Sequence, residues 1–307
     1  MQTSRTSSRQ IRACIAAFLS SLVLSNPVFA ASDIRMVQIG PFTVLPESGA
    51  AQVNQGIKAF VESSNKTAIN GKKFVFSEAD DRFSADEFVT QFGKAIDAKS
   101  LALVSPMGSN SVKRMLDDKL LDTADTVDIN AIPGAESFRS PGHPKLFHIR
   151  AGDKLQIEKI ITHIRTLGIK RVSVFYENLP VGVSGLAVAQ QVAARSEGVE
   201  IKGVKSGTAA TELATAAQQA AAQNPQGVLI VGTPRFMAES VGALRKAGVS
   251  QALFVLSYVP AALIVKIAGP DGARGVGIAQ TFPNPNGRTQ PVVMDFQVAM
   301  KAAFPQV

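Results

Sequence analysis

The chain has 307 residues, a formal net charge of +8 and a single cysteine, and 46% of it is hydrophobic against 18% charged. That composition supplies one large domain or two lobes of ordinary size with a real core, and it excludes a disordered chain. No Lys/Arg run and no interleaving of basic with aromatic residues occurs, which argues against nucleic acid as a partner.

In chain order, the first segment reads as an export signal. Arg5, Arg9 and Arg12 precede an uncharged stretch from Ala13 to Leu24, and Val28 and Ala30 supply the small residues before a cleavage point. A charged start, a short apolar middle and a small-residue end define a secretory signal peptide, predicted here over residues 1–30. The apolar part is short for a bilayer span. Cleavage after Ala30 leaves a mature chain that starts at Ala31 and has no cysteine, because Cys14 leaves with the signal. Cys14 also lacks the small-residue setting of a lipid-anchor cysteine. Disulfides, thiolate nucleophiles and cysteine metal sites are thereby excluded. Three arginines and no acid leave as well, so the charge falls from +8 to about +5.

From Ile34 onward, short apolar runs alternate with amphipathic stretches. Strands are expected at "IRMVQIG" from Ile34, "KFVFSEA" from Lys73, "LALVS" from Leu101 and "TVDINA" from Thr126. Further strands are expected from Arg171, Val199, Gly227, Leu253 and Val276. Most are β-branched and apolar through the middle, as strands covered on both faces are. The helix "SADEFVTQFGKAI" opens with Ser84 and has Glu87 three residues on, a capping box. "LQIEKIITHIRTLG" stops at Gly168, "TELATAAQQAAAQNP" at Asn224-Pro225 and "FMAESVGALRKAG" at Gly248. Strand and helix alternate almost throughout, which predicts an α/β fold with parallel sheets. The Pro/Gly stretch from Ser137 to Lys154 is a candidate hinge, and Thr281–Pro291 is a second crossing.

Catalytic patterns are missing. His143, His148 and His163 have no metal-ligand spacing. "VGVSGL" around Ser184 and "MGSNS" each miss the nucleophile elbow, and no dinucleotide glycine pattern follows the first strand. Asp80-Asp81 reads as a turn and helix cap before it reads as a carboxylate dyad. The stretch "SPMGSNSVKRML", Ser105 to Leu116, follows an apolar run and begins a helical pattern. A helix start of that kind either caps itself through Ser109 or Asn110 or presents free N–H groups to an anion.

Several stretches taken in order resemble periplasmic solute-binding proteins of the Leu/Ile/Val-binding type, which feed ABC importers. "VQIGPFTVLPESGAAQVNQGI" resembles their opening strand, loop and helix, and "AINGKKFVFSEADDRFSADEFVTQFGKAI" their second strand and helix. "FHIRAGDKLQ" resembles the hinge signature, and "VSVFYENLPVGVSGLA" the opening of the second lobe. "ALRKAGV" and "IAGPDGARGVG" match later signatures, so the similarity runs from Ile34 to about Phe304. The resemblance implies two Rossmann-like lobes of the type I periplasmic binding protein fold, with a ligand between them. The implied division is lobe 1 over 31–149 with a return segment 284–307, and lobe 2 over 150–283. It also implies that elements usual after the second crossing are missing here, since the sequence stops one helix later.

The same resemblance gives the site. The residue matching Ser109 holds a ligand carboxylate, with Met107, Gly108 and Asn110 beside it. The turn "PGAES" supplies Ala135 and Glu136, where Glu136 stands in place of a small hydroxyl residue. Val181 replaces the tyrosine of the second-lobe turn. Tyr258 falls where an acid normally meets a ligand ammonium, and the aromatics expected after "LIVG" are replaced by Thr233-Pro234-Arg235-Phe236. Tyr258 and Phe236 are thus expected as walls from the second lobe, and Arg235 either pairs with a carboxylate or lies exposed. The implied function is capture of a branched-chain or other small amino acid, or a related carboxylate, for ABC permease subunits in the periplasm. It implies no cofactor, no metal and no catalysis. A ligand sensor of the same fold, signalling to a separate receptor or regulator, is the alternative.

Overall fold

A computed structural model describes residues 33–44, 49–195 and 198–307. The segment read as a signal peptide lies outside the described residues. Among the described residues, ten strands form two five-stranded sheets, and every pairing within them is parallel.

The first sheet contains β1 (Ile34–Gly40), β2 (Phe74–Asp80), β3 (Ala102–Val104), β4 (Val127–Ile129) and β5 (Leu146–Phe147), in the order β2-β1-β3-β4-β5. Between them run α1 (Ala50–Asn65), α2 (Ala85–Asp97), α3 (Ser109–Asp117) and the single turn α4 (Leu120–Thr123). The second sheet contains β6 (Arg171–Glu177), β7 (Glu200–Ser206), β8 (Gly227–Val231), β9 (Ala252–Val255) and β10 (Val276–Ile278), in the order β10-β9-β8-β6-β7. Its helices are α5 (Asp153–Thr166), α6 (Pro180–Ala194), α7 (Ala210–Ala222), α8 (Pro234–Lys246) and α9 (Ala261–Ala273), the last broken at Gly269-Pro270. The chain then crosses back, and α10 (Pro291–Ala303) packs on α1 of the first sheet.

The sequence pattern explains which strands lie inside. All five residues of β8 are buried, as are the last five of β1. The edge strand β2 has no buried position, and in the edge strand β7 only Val204 and Ser206 are buried, so coverage on both faces holds only for the inner strands. The two-residue β5 is a strand that the hydrophobic pattern does not reveal, because it sits inside the Pro/Gly stretch read as hinge. Two separate cores result. One joins Ile39 and Leu103 to Phe88, Met115 and Leu121. The other, larger core joins Phe175, Leu229 and Val255 to Ile157, Ile161 and Leu244.

Helix ends follow local chemistry. Ser84 Oγ accepts from the Glu87 N–H at 3.3 Å, so half of the expected capping box forms. The reciprocal half does not, because the Ser84 N–H bonds to the Asp81 carbonyl and Glu87 binds Gln91 instead. Gly168 and Gly248 follow α5 and α8 in left-handed conformation, at φ 73° and 86°. No helix among the described residues is long and apolar enough to cross a membrane.

Candidate functional site

Each sheet has a point where neighbouring connections leave in opposite directions, between β1 and β3 in the first and between β6 and β8 in the second. Open α/β sheets bind ligands beyond the C-terminal strand ends at such points. A cavity of about 580 Å³ lies there, lined from one side by Pro41, Met107, Gly108 and Ser109 and from the other by Val181, Thr233 and Tyr258. Its wall is mostly apolar, and no Asp or Glu among the described residues lines it.

The first wall is built by two short turns. Asp80, ending β2, accepts the Phe42 N–H at 2.9 Å and the Arg82 N–H at 3.1 Å, and the Thr43 hydroxyl also donates to it. It thereby fixes the loop after β1. Asp81 is fully buried and accepts the Phe83 N–H at 2.9 Å. Burial, with Asp80 adjacent, raises its pKa to about 6. The acid pair therefore organises a turn, as the local pattern suggests, and that turn places Phe83 on the cavity. After β3, Gly108 precedes α3 at φ 95°. A Cβ there would meet Ser111 Oγ at 3.1 Å and Phe83 at 3.5 Å, in a backbone conformation that side chains disfavour.

Ser109 is the first residue of α3, and its hydroxyl makes no hydrogen bond within the described chain. The capping alternative fails for both Ser109 and Asn110: the capping position is Gly108, and no side chain caps the helix. The first-turn N–H groups are thus left without intrahelical partners at the cavity edge. Asn110 is exposed and does not line the cavity, because one further residue turns it about 100° around the helix.

The second wall depends on Glu177. It is buried at the end of β6, and its carboxylate accepts the Thr233 N–H at 2.6 Å. Burial raises its pKa, opposed by that bond. The contact ties the turn before Val181 to the turn after β8. Phe236, expected as a wall, instead lies in the core at 1% exposure, stacked on Phe175 with centroids 5.8 Å apart. It sits three residues into α8 and so faces the sheet, whereas Thr233 at the helix start faces the cavity. Arg235 takes the exposed reading, bonding Glu239 one turn along α8 at 2.8 Å.

Ala135 and Glu136 do not line the cavity either. Ala135 is buried in the first core, and Glu136 opens a 3-10 turn, Glu136–Phe138, that packs near Gly152 in the hinge. Their neighbours Ile132 and Pro133 form the floor. The Gly134 carbonyl accepts the Asp153 N–H at 2.8 Å, and a Cβ on Gly134 would run into the Asp153 carboxylate and the Tyr258 hydroxyl. The first sheet's loop therefore rests directly on the second sheet's residues.

The structure adds a group that spacing does not reveal. Arg150, in the hinge, lines the cavity at 7% exposure. Its guanidinium carbon lies 4.5 Å from the centroid of the Tyr258 ring, and Nη2 donates to Ser257 Oγ. Tyr258 in turn donates its hydroxyl to Asp153, which is 1% exposed. Burial pushes the Asp153 pKa up and the Arg150 pKa down. Gln156 accepts the Ser257 N–H at 3.0 Å and completes the support. The signal available in sequence was only "FHIRAGDKLQ" itself, where an arginine, an acid and a glutamine share one hinge. No cluster of three or more metal-ligating side chains occurs among the described residues.

Two parallel α/β sheets with a cavity between their strand ends define a type I binding protein, a two-lobed solute trap. A family model for periplasmic binding proteins matches residues 33–307, and the chain belongs to that family. Its members are non-enzymatic binding proteins of ABC-type transport, and they act outside the cytoplasm. An extracellular ligand-binding receptor from Verminephrobacter eiseniae is 55% identical over 90% of this chain and 78% of its own, with a TM-score of 0.87. A leucine-binding protein from Thermotoga maritima shares the fold at 18% identity and TM-score 0.76, over 89% of this chain and 77% of its own. An ABC transporter solute-binding protein from R. palustris, solved with benzoate, does so at 15% identity and TM-score 0.74, over 89% and 74%. Among curated protein sequences, none matches the chain.

Proposed function

We propose that this chain is the extracytoplasmic solute-binding component of an ABC importer, exported through its first 30 residues. It captures a small carboxylate-bearing solute by closing two lobes, over 31–149 with 284–307 and over 150–283, and presents the closed form to the permease. The observation that carries this reading is the cavity of about 580 Å³ bounded by the strand ends of both sheets. Its volume suits a small molecule. Its walls belong to different sheets, so one solute touching both favours the closed arrangement.

The polar groups favour a carboxylate. Ser109 and the first-turn N–H groups of α3 offer donors from one side, with Gly108 and Met107 allowing close approach. Thr233 and Tyr258 border the other side, with Val181 as an apolar wall. Two proteins of the same fold carry leucine and benzoate in their names, and both of those solutes bear a carboxylate.

A thermal-shift screen of the chain from Ala31 onward against amino acids, amides and small carboxylates tests the reading. A solute at 100 times its Kd raises stability by about 2.7 kcal/mol. Ser109→Ala should weaken the response to the best solute. Cooperative melting with no response to any solute class would refute the proposal.

A further inference from the structure

Arg150 is the only charged residue among the described residues that line the cavity. It is nine-tenths buried, yet no carboxylate among the described residues stands within ion-pair distance of it. Asp153 bears on it electrostatically, but the hydrogen bond that this carboxylate accepts comes from Tyr258. A guanidinium has five donors in a rigid fork. Here one Nη2 donor goes to Ser257, the face is covered by the Tyr258 ring, and Nε has no partner among the described residues. A desolvated cation with unused donors, set into the wall of an apolar cavity, is matched by an anion that can accept more than one hydrogen bond.

The rest of the wall says what that anion carries. Phe83, Met107, Ile132, Val181, Val259 and Ile278 surround an apolar body. An ammonium group would need a carboxylate once desolvated, and none is present among the described lining residues. It would also meet the positive charge of Arg150. We infer that Arg150 sets the charge selectivity of the cleft: the solute is an organic acid with an apolar body and no ammonium group, its carboxylate paired with the guanidinium, and α-amino acid zwitterions are rejected. This inference rests on the cavity being the solute site. Burial lowers the Arg150 pKa, and a bound anion would oppose that shift.

Calorimetric titration of the protein with matched solutes tests it. The probes are 4-methylpentanoate, its amide and leucine, and 3-phenylpropanoate, its amide and phenylalanine. The acid of at least one set should bind about 100-fold more tightly than its amide and its amino acid. Arg150→Gln should remove most of that preference, and Arg150→Lys should keep part of it, because it retains charge but loses the fork. If Arg150→Gln fails to fold, the acid-against-amide comparison on the unaltered protein and the Arg150→Lys variant decide. Amino acids binding as tightly as the matched acids would overturn the inference while leaving the solute-binding reading standing. So would an Arg150→Gln variant that still prefers acids. Failure of every small solute, charged or neutral, would overturn the solute-binding reading and this inference with it.

Discussion

Replacing Tyr258 by phenylalanine removes one oxygen and keeps the ring under Arg150. Among the described residues the hydroxyl is the only side-chain hydrogen-bond donor to Asp153, whose Oδ2 is buried without a partner there. A hydrogen bond to a charged group contributes about 1.5–3 kcal/mol, and more is lost when the remaining group stays buried and unpaired. The expected loss at neutral pH is therefore about 2 kcal/mol. For a chain of this size, that corresponds to a fall in Tm of about 4–8 °C. The loss should depend on pH in a definite direction. Burial already raises the Asp153 pKa above the ordinary aspartate value of 3.8, and losing the hydroxyl raises it further. A protonated Asp153 loses less when its donor disappears, so the penalty should be fully present where the wild-type carboxylate is ionised and should shrink as pH falls through its raised pKa. Urea denaturation of wild type, Tyr258→Phe, Asp153→Asn and the double variant, at several pH values, measures this. The cycle should show a coupling of about 1–2 kcal/mol at neutral pH. A loss below about 0.5 kcal/mol that does not vary with pH would refute the argument.

Three further expectations follow from the same geometry. Phe236→Ala should cost about 3–5 kcal/mol by opening a cavity beside Phe175, measured by urea midpoint, while solute affinity changes far less because the ring does not face the cleft. Asp81→Asn should gain on wild type as pH rises. Between the ordinary aspartate value of 3.8 and about 6 the folded chain holds a proton that the unfolded chain releases, so wild-type stability falls with rising pH over that window, and the amide has no such dependence. A constant gap between the two proteins from about pH 4 to about pH 8 would remove this account. Gly134→Ala should destabilise by about 1–3 kcal/mol through overpacking against Asp153, whose Cγ would lie 3.0 Å from the new Cβ, and it should also weaken solute binding by wedging the floor of the cleft.

The sheets were readable because inner parallel strands need unbroken apolar runs, and "GVLIV" or "RVSVF" can hardly be anything else. Leu146-Phe147 escaped because two residues carry no period, and its prolines and glycines spoke for a loop. Within the site, Met107, Gly108, Ser109, Val181, Thr233 and Tyr258 all follow strand ends, and position along the chain suffices to place such residues at the cleft. Phe236 shows where that logic stops. Three residues into a helix, the side chain has turned to the sheet, and an aromatic ring next to a cleft is drawn to the core by the same apolar character that suggested a wall. Arg150 illustrates the opposite failure. Its partner Ser257 is 107 residues away, and no local pattern distinguishes a hinge arginine that turns inward from one that stays in water.

The contact between α1 and α10 has a consequence for how the chain is made. The second sheet is assembled from the continuous stretch 171–278 and can pair as soon as that stretch is available. The first sheet cannot finish so early, because α1 near its start is covered by α10, which follows the second sheet in the chain, with Phe296 reaching Gly56. Contacts of such sequence separation form slowly. The face of α1 is therefore covered only after the stretch that builds the second sheet has been made, so the two sheets complete their packing in the reverse of their chain order.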